Sequence, residues 1–104
     1  MIARVAFWKL KPGKYADFFR EMSKSAAILQ GHAGIKGIEM LHSVNETNLP
    51  ISITYWDTLQ DSDNSRNQPE FQAAIGKMKP ILEGMPEIKI YDVDGLEIFL
   101  KKFK

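Results

Sequence analysis

Residues 51–59 constrain the fold more than any other part of the sequence. They read ISITYWDTL, an alternation of β-branched, aromatic and polar residues that is typical of a β-strand. Because side chains alternate between the two faces of a strand, one face carries an apolar row and the other carries two small polar residues beside an indole. The apolar row is Ile51, Ile53 and Tyr55, and the opposite face holds Ser52, Thr54 and Trp56. We therefore expect both faces to be covered, with space for a pocket beside Trp56.

The strand is predicted to end where a helix begins. Asp57 can accept hydrogen bonds from the first backbone N–H groups of a helix, and Gln60 follows three residues later, as in a capping box. A short helical turn is accordingly predicted over residues 58–64.

Length and composition exclude several classes of protein. The 104 residues are predicted to form one domain, residues 1–104, and a net charge of +1 gives no strong field for nucleic acid or a membrane surface. The chain has no cysteine, which suits a reducing compartment, and no apolar stretch near the ~20 residues of a membrane span. We expect a cytoplasmic protein with neither nucleic acid nor membrane as a partner. Lys101, Lys102 and Lys104 are interpreted as a solubilising terminus.

The rest of the chain alternates between strand and helix patterns. One helix is predicted over residues 15–29 with Gly31 as its stop, and another from Pro69 with an end or kink at Pro80. The first helix has the buried stripe Tyr15, Phe18, Phe19, Met22, Ala26 and Leu29, and the second has Phe71, Ala74, Ile75 and Met78. Strands are predicted over residues 2–11, 35–44, 51–56 and 88–100, the last one bulged at a Gly95 break.

This order, β-α-β-β-α-β, predicts an α+β fold of the ferredoxin-like type, with one four-stranded antiparallel sheet and both helices on one face. The other face of the sheet would remain uncovered. A second copy of the chain could cover it and close two sheets into a dimeric α+β barrel across a two-fold axis. We therefore expect a homodimer in which helices cover the Trp56 face and the partner subunit covers the Ile53 face.

Four segments are similar to those of a known family. They are Pro12-Gly13 ahead of Phe18, Gly34-Ile35 at a strand start, Tyr55-Trp56-Asp57-Thr58, and Pro69-Glu70-Phe71. With them the chain resembles the antibiotic biosynthesis monooxygenase-like family of dimeric α+β barrels. The resemblance implies a small-molecule pocket between helices and sheet. It also implies, as one of the family's chemistries, oxidation of an aromatic substrate without metal or flavin, in which the carbanion of an acidic substrate reacts with dioxygen.

Other members of that family degrade haem, and the resemblance argues against this activity here. Those proteins use an Asn on the first strand, the Trp that matches Trp56, and an axial His on the second helix. This chain has Ala6 or Phe7 at the first position and Ile75 at the third. Without an imidazole on that helix, haem iron would lack its expected ligand, so we expect no cofactor.

Five residues are candidates for contact with a substrate. They are Trp56, Trp8, Thr54, Phe71 and Ile75. Trp56 could stack on an aromatic ligand, since the family pocket lies there, or it could be a core indole. Trp8 shares its strand parity with Ala6, and core packing is the favoured interpretation for it.

Three residues are candidates for catalysis. His32, in a glycine-rich loop, and His42, in the second strand, could exchange protons near neutral pH, and Arg4 could anchor an anionic group. The alternatives are solvated histidines and a salt bridge at a sheet edge. Two histidines do not make a zinc site, so no metal is expected. Tyr55 and Tyr91 are predicted to pack in the barrel or the dimer interface.

The leading hypothesis is a monooxygenase-like enzyme that acts on a small aromatic or quinol-type molecule without a cofactor. The alternative is a dimeric barrel that only binds a small ligand, or whose pocket has closed into core. An open cavity beside Trp56 with a titratable group reaching into it would separate the two.

Overall fold

The computed structural model describes residues 1–94, so the predicted strand beyond Gly95 lies outside the described residues. Within them the predicted ferredoxin-like α+β order is confirmed, with the second helical connection divided into two helices. The elements are β1 (Ile2–Phe7), α1 (Tyr15–Leu29), β2 (Ile35–Leu41), β3 (Ile51–Trp56), α2 (Leu59–Arg66), α3 (Pro69–Gly76), a 3-10 turn (Lys79–Ile81) and β4 (Glu87–Asp92).

The four strands form one antiparallel sheet in the order β2-β3-β1-β4. Register pairs Arg4 with Thr54 and Ala6 with Ser52 across the two central strands, which places these four side chains on the same face. All four are buried, whereas Ile53 on the opposite face is only half-buried. The predicted parity of residues 51–56 is therefore confirmed, and the helices cover the Trp56 face.

The core includes residues of β1, of the segment that follows it, of α1 and of the segment around the 3-10 turn. Its buried members are Ala6, Trp8, Leu10, Phe18, Met78, Ile81 and Leu82. The Trp8 and Phe18 rings meet edge to face with centroids 5.2 Å apart. Phe19 was predicted to belong to the buried stripe, but half of it is exposed, because α1 docks along a narrower line through Phe18, Ser25 and Leu29.

Several predicted boundaries are wrong by a few residues. β1 ends at Phe7 instead of residue 11, because the next backbone N–H groups donate to residues outside the neighbouring strands. The Trp8 N–H, for example, donates to the Pro50 carbonyl at 3.0 Å. β2 ends at Leu41 instead of residue 44. The last α-helix ends at Gly76, so that Pro80 falls in the 3-10 turn, where a missing N–H is tolerated.

The residue that caps α2 also differs from the prediction. Thr58, and not Asp57, is extended at the N-cap position, and its Oγ1 accepts a hydrogen bond from the Asp61 N–H at 3.1 Å. Asp57 instead follows directly after β3. Its N–H donates to the Gly34 carbonyl at 2.8 Å, and its carboxylate pairs with Lys36 at 3.4 Å. The start of the helix is thus shifted one residue along the chain.

The helices described here are short or amphipathic. Over residues 1–94, none has the length and apolar composition needed to cross a membrane.

Candidate functional site

A cavity of about 310 Å³ lies between the helices and the covered face of the sheet. Its wall is mostly apolar and includes Ala6, Trp8, Met22, Leu29, Phe71 and Ile75. This volume is at the lower end of the range for small-molecule sites, and such sites are typically apolar with a few placed polar groups. The cavity can therefore hold a small, largely hydrophobic molecule.

The hydroxyl groups in the cavity wall already have protein partners. Ser52 Oγ accepts a hydrogen bond from Trp8 Nε1 at 2.8 Å, and Thr54 Oγ1 accepts one from Trp56 Nε1 at 2.8 Å. The small polar residues of β3 thus satisfy the two indole N–H groups, which would otherwise be buried without a partner. Ser25 Oγ donates to the Glu21 carbonyl at 3.2 Å.

Arg4 is the charged residue that the sheet places in this cavity. It is only 7% exposed, and its Nη1 donates to the Ser62 carbonyl at 2.8 Å and to Ser62 Oγ at 3.1 Å. Its guanidinium carbon lies 5.0 Å from the ring centroid of Trp56 and 5.5 Å from that of Phe71, within the range of cation–π attraction. Two aromatic rings and one serine thus hold the guanidinium in place.

The Arg4 guanidinium retains donors for a ligand. Nε and Nη2 have no acceptor among residues 1–94, so both nitrogens can donate to a ligand. Burial is the main cause that lowers the pKa of Arg4 to about 10. The positive charge of Arg66 lowers this pKa as a smaller cause, and the negative charge of Asp63 acts in the opposite direction. Arg4 therefore remains a cation at neutral pH, in surroundings that favour an anion beside it.

The structure brings together four of the five predicted substrate-binding residues: Trp8, Thr54, Phe71 and Ile75 line the cavity. The fifth predicted residue, Trp56, lies outside the cavity lining. Its side chain is fully buried and does not line the cavity, because the Arg4 guanidinium lies over its ring. The indole packs against the Arg4 guanidinium and has no direct access to a ligand in the cavity.

The two histidines lie away from the cavity, so that of the predicted catalytic candidates only Arg4 lines it. His32 Nδ1 is 2.7 Å from Ser65 Oγ on α2, and its Nε2 is 3.3 Å from Glu70 Oε1 on α3. His42 is exposed, and its Nδ1 is 3.0 Å from the Tyr15 hydroxyl. His32 is thus a link between two helices, and His42 is a surface residue.

The position of His32 leads to a prediction about stability. His32→Ala removes both hydrogen-bonded contacts and leaves the buried Ser65 hydroxyl without its imidazole partner. We expect the free energy of unfolding to fall by about 1–3 kcal/mol, measured by urea denaturation. His42→Ala is the matched control, with an expected change within about 0.5 kcal/mol. Equal losses in the two variants would contradict the structural role of His32.

Sequence reasoning missed Ser62 and Arg66, which help to form the site from α2. This helix reads LQDSDNSR and has almost no apolar periodicity, so its buried face could not be identified from hydrophobic residues. The available signal was the pair Ser62 and Ser65, three residues apart, both of which are buried. Within residues 1–94, the His, Asp and Glu side chains form no group of three that could hold a metal ion.

Comparisons with known proteins agree with this architecture. A family model described as antibiotic biosynthesis monooxygenase matches residues 1–77. No protein of curated function matches the sequence significantly. Many solved structures do match. Three of them are under 25% identical to this chain, so each is evidence for the fold alone.

One is a protein from Caulobacter crescentus CB15 provisionally named an antibiotic biosynthesis monooxygenase, 23% identical, with 90% of each chain covered and a TM-score of 0.82. Another is SnoaB from Streptomyces nogalater, a cofactor-independent oxygenase, 16% identical, with 90% of this chain and 93% of SnoaB covered and a TM-score of 0.81. A conserved protein from Methanosarcina mazei Go1 is 18% identical, with 86% of this chain and 89% of that chain covered and a TM-score of 0.79.

Proposed function

The chain belongs to the antibiotic biosynthesis monooxygenase family, and from this premise we propose that it oxidises a small aromatic or quinol-type molecule with dioxygen and without a cofactor. The observation that carries the proposal is the Arg4 guanidinium, held with free donors in a mostly apolar cavity. The structural likeness to SnoaB, a cofactor-independent oxygenase, is in agreement with it.

The proposed reaction is balanced without a bound redox group. A ring CH₂ that is conjugated through the aromatic rings with a ring carbonyl, as in anthrone, loses a proton to give an enolate. The enolate carbon then transfers electrons to dioxygen and forms a C–O bond. The resulting peroxide anion takes up a proton to give a hydroperoxide. The hydroperoxide then loses its remaining C–H proton and hydroxide, together as water, so that the O–O bond breaks and a new carbonyl forms. Overall, the CH₂ carbon is oxidised by four electrons, one oxygen atom of dioxygen becomes the carbonyl oxygen, and the other becomes water.

The contribution of Arg4 is electrostatic. In the described part of the chain no carboxylate or imidazole lines the cavity, so the wall offers no conventional general base there. A fixed cation beside the enolate oxygen favours the ionised substrate and lowers its pKa. The substrate can then release its proton to water and react as the anion. Trp8 and Phe71 would pack against its rings.

The proposal is tested by dioxygen uptake with anthrone, in the presence of a chelator that removes adventitious metal. We expect one dioxygen consumed for each anthraquinone formed, at a rate at least about tenfold above that in buffer. An unrelated ligand-binding protein at equal concentration serves as the control for non-specific solubilisation. A rate equal to that in buffer, with anthrone bound, would contradict the oxygenase proposal.

The absence of a general base among the described cavity residues also favours a second candidate function, in which the protein binds a small acidic ligand without transforming it. A measurement of dioxygen consumption distinguishes the two candidate functions. The binding protein saturates with ligand and consumes no dioxygen, whereas the oxygenase consumes dioxygen in proportion to the bound fraction.

We also propose that the protein is a homodimer formed through the face of the sheet opposite the cavity. The apolar centre of that face, Val5 and Ile53, is paired across β1 and β3 and remains half-buried in a single chain.

A further inference from the structure

The cavity has a second arginine, which the proposed reaction does not use. Arg66 is the last residue of α2 and lines the cavity together with Arg4. Unlike Arg4, it is exposed, and it also borders a shallow polar depression with Asp63, Asn67 and Gln72. Arg4 therefore lies deep in the cavity wall and Arg66 at its rim.

Neither arginine is neutralised by an ion pair in the described part of the chain. Over residues 1–94 the carboxylates that form salt bridges do so with other cations, such as Asp17 with Arg20 and Asp57 with Lys36. Asp63 acts on Arg4 only as the smallest of three influences on its pKa, and the charge of Arg66 acts against the protonated form. Two cations at one cavity attract an anion, and the attraction is stronger at the buried Arg4 than at the exposed Arg66.

We infer that the ligand carries a carboxylate in addition to its acidic ring oxygen, and that Arg66 at the rim selects for this carboxylate while Arg4 faces the ring oxygen. The inference rests on the proposed use of the same cavity. Arginine suits this role because its planar fork can donate two parallel hydrogen bonds to a carboxylate. The substrate class is then an aromatic acid whose carboxylate is remote from the reacting ring position, with its apolar body against Trp8 and Ile75.

The test is a fluorescence titration with two probes of nearly the same shape, the anionic 6-hydroxy-2-naphthoate and the neutral 6-hydroxy-2-naphthamide. We expect the unmodified protein to bind the acid about tenfold more tightly than the amide, the size of one charge-assisted hydrogen-bonded contact. Arg66→Gln should bring the two affinities within about twofold by weakening the acid alone, whereas Arg66→Lys should keep part of the preference. The preference of the unmodified protein should also shrink in 1 M salt, because Arg66 is exposed.

Arg20→Gln is the matched control. It removes the same charge from an exposed arginine on α1 that pairs with Asp17 and does not line the cavity, and it should keep the tenfold preference. Equal affinity of the unmodified protein for acid and amide, equal losses in the Arg66 and Arg20 variants, or no binding of the acid at 1 mM would each overturn the inference. The titration consumes no dioxygen, so its outcome is independent of whether the oxygenase proposal succeeds.

Discussion

Arg4→Met is expected to lower kcat for dioxygen uptake by about 100-fold or more. Methionine keeps much of the apolar contact with the Trp56 and Phe71 rings but removes the charge and the free Nε and Nη2 donors. Removing one group that stabilises an oxyanion typically costs 10²–10³ in rate, and a whole guanidinium is at the upper end of that scale. The measurement is dioxygen uptake with anthrone at saturating concentration, on protein whose folding is checked by circular dichroism and urea denaturation.

The pH dependence of the same variant separates an electrostatic role from a packing role. A cation beside the substrate oxygen stabilises the anion, so it lowers the pKa of the bound substrate and moves the rise of kcat to lower pH. Without the charge, the pH of half-maximal kcat should rise by about one to three units. Arg4→Lys keeps a charge and should shift less. Arg20→Met, which removes an equally charged but exposed side chain, should leave both kcat and its pH dependence unchanged.

Two outcomes would contradict this role for Arg4. In one, Arg4→Met loses activity with an unchanged pH midpoint, which would mean that the arginine only shapes the cavity. In the other, Arg4→Met and Arg20→Met behave alike, which would mean that the charge acts on the protein as a whole.

The faces of the strands could be predicted from the sequence because alternation in residues 51–56 has a single physical cause, the pleat. The sequence could not show what lies over each side chain. Trp56 was the obvious candidate for ligand stacking, but register places Arg4 on the neighbouring strand opposite Thr54, and the guanidinium occupies the space over the indole. Large aromatic residues are identified easily from sequence, whereas contact between two strands distant along the chain is not.

The helical part of the site shows a different limit on what can be predicted from the sequence. His32 was a candidate because imidazole chemistry suits proton transfer, yet the fold uses it to connect Ser65 and Glu70 outside the cavity. Conversely, Ser62 positions Arg4 through a backbone carbonyl and a hydroxyl, and neither has a distinctive sequence pattern. Roles that depend on the packing of a polar helix such as α2 become visible only when its neighbours are known.

The face of the sheet opposite the cavity has the pattern of an interface. One cross-strand row reads Glu39, Ile53, Val5 and Lys89 from β2 to β4. The two central positions are apolar and the two outer positions are charged, as in protein interfaces with an apolar core and a polar rim. At the β2 edge, Tyr55 donates a hydrogen bond to Glu39 at 2.7 Å, which raises the pKa of Tyr55 to about 12 and keeps the phenol neutral at ordinary pH.

Ile53→Glu is expected to convert the proposed dimer into a monomer, with an increase of about 1000-fold or more in the dissociation constant. A carboxylate at the centre of this face would be buried against the apolar surface of the second copy without a partner, at a cost of several kcal/mol. In the monomer the same side chain is partly exposed and can remain hydrated. Sedimentation velocity at micromolar concentration should give a dimeric mass for the unmodified protein and a monomeric mass for the variant.

Phe19→Glu is the control, since Phe19 is a large apolar residue on α1, half exposed, and on the other side of the sheet. It should remain dimeric. A monomeric mass for the unmodified protein would contradict the homodimer proposal. Dissociation by Phe19→Glu but not by Ile53→Glu would indicate an interface formed by the helices. If the prediction holds, each subunit presents its cavity on the face away from the partner, so that Arg4 should still bind acidic ligands in the monomeric variant.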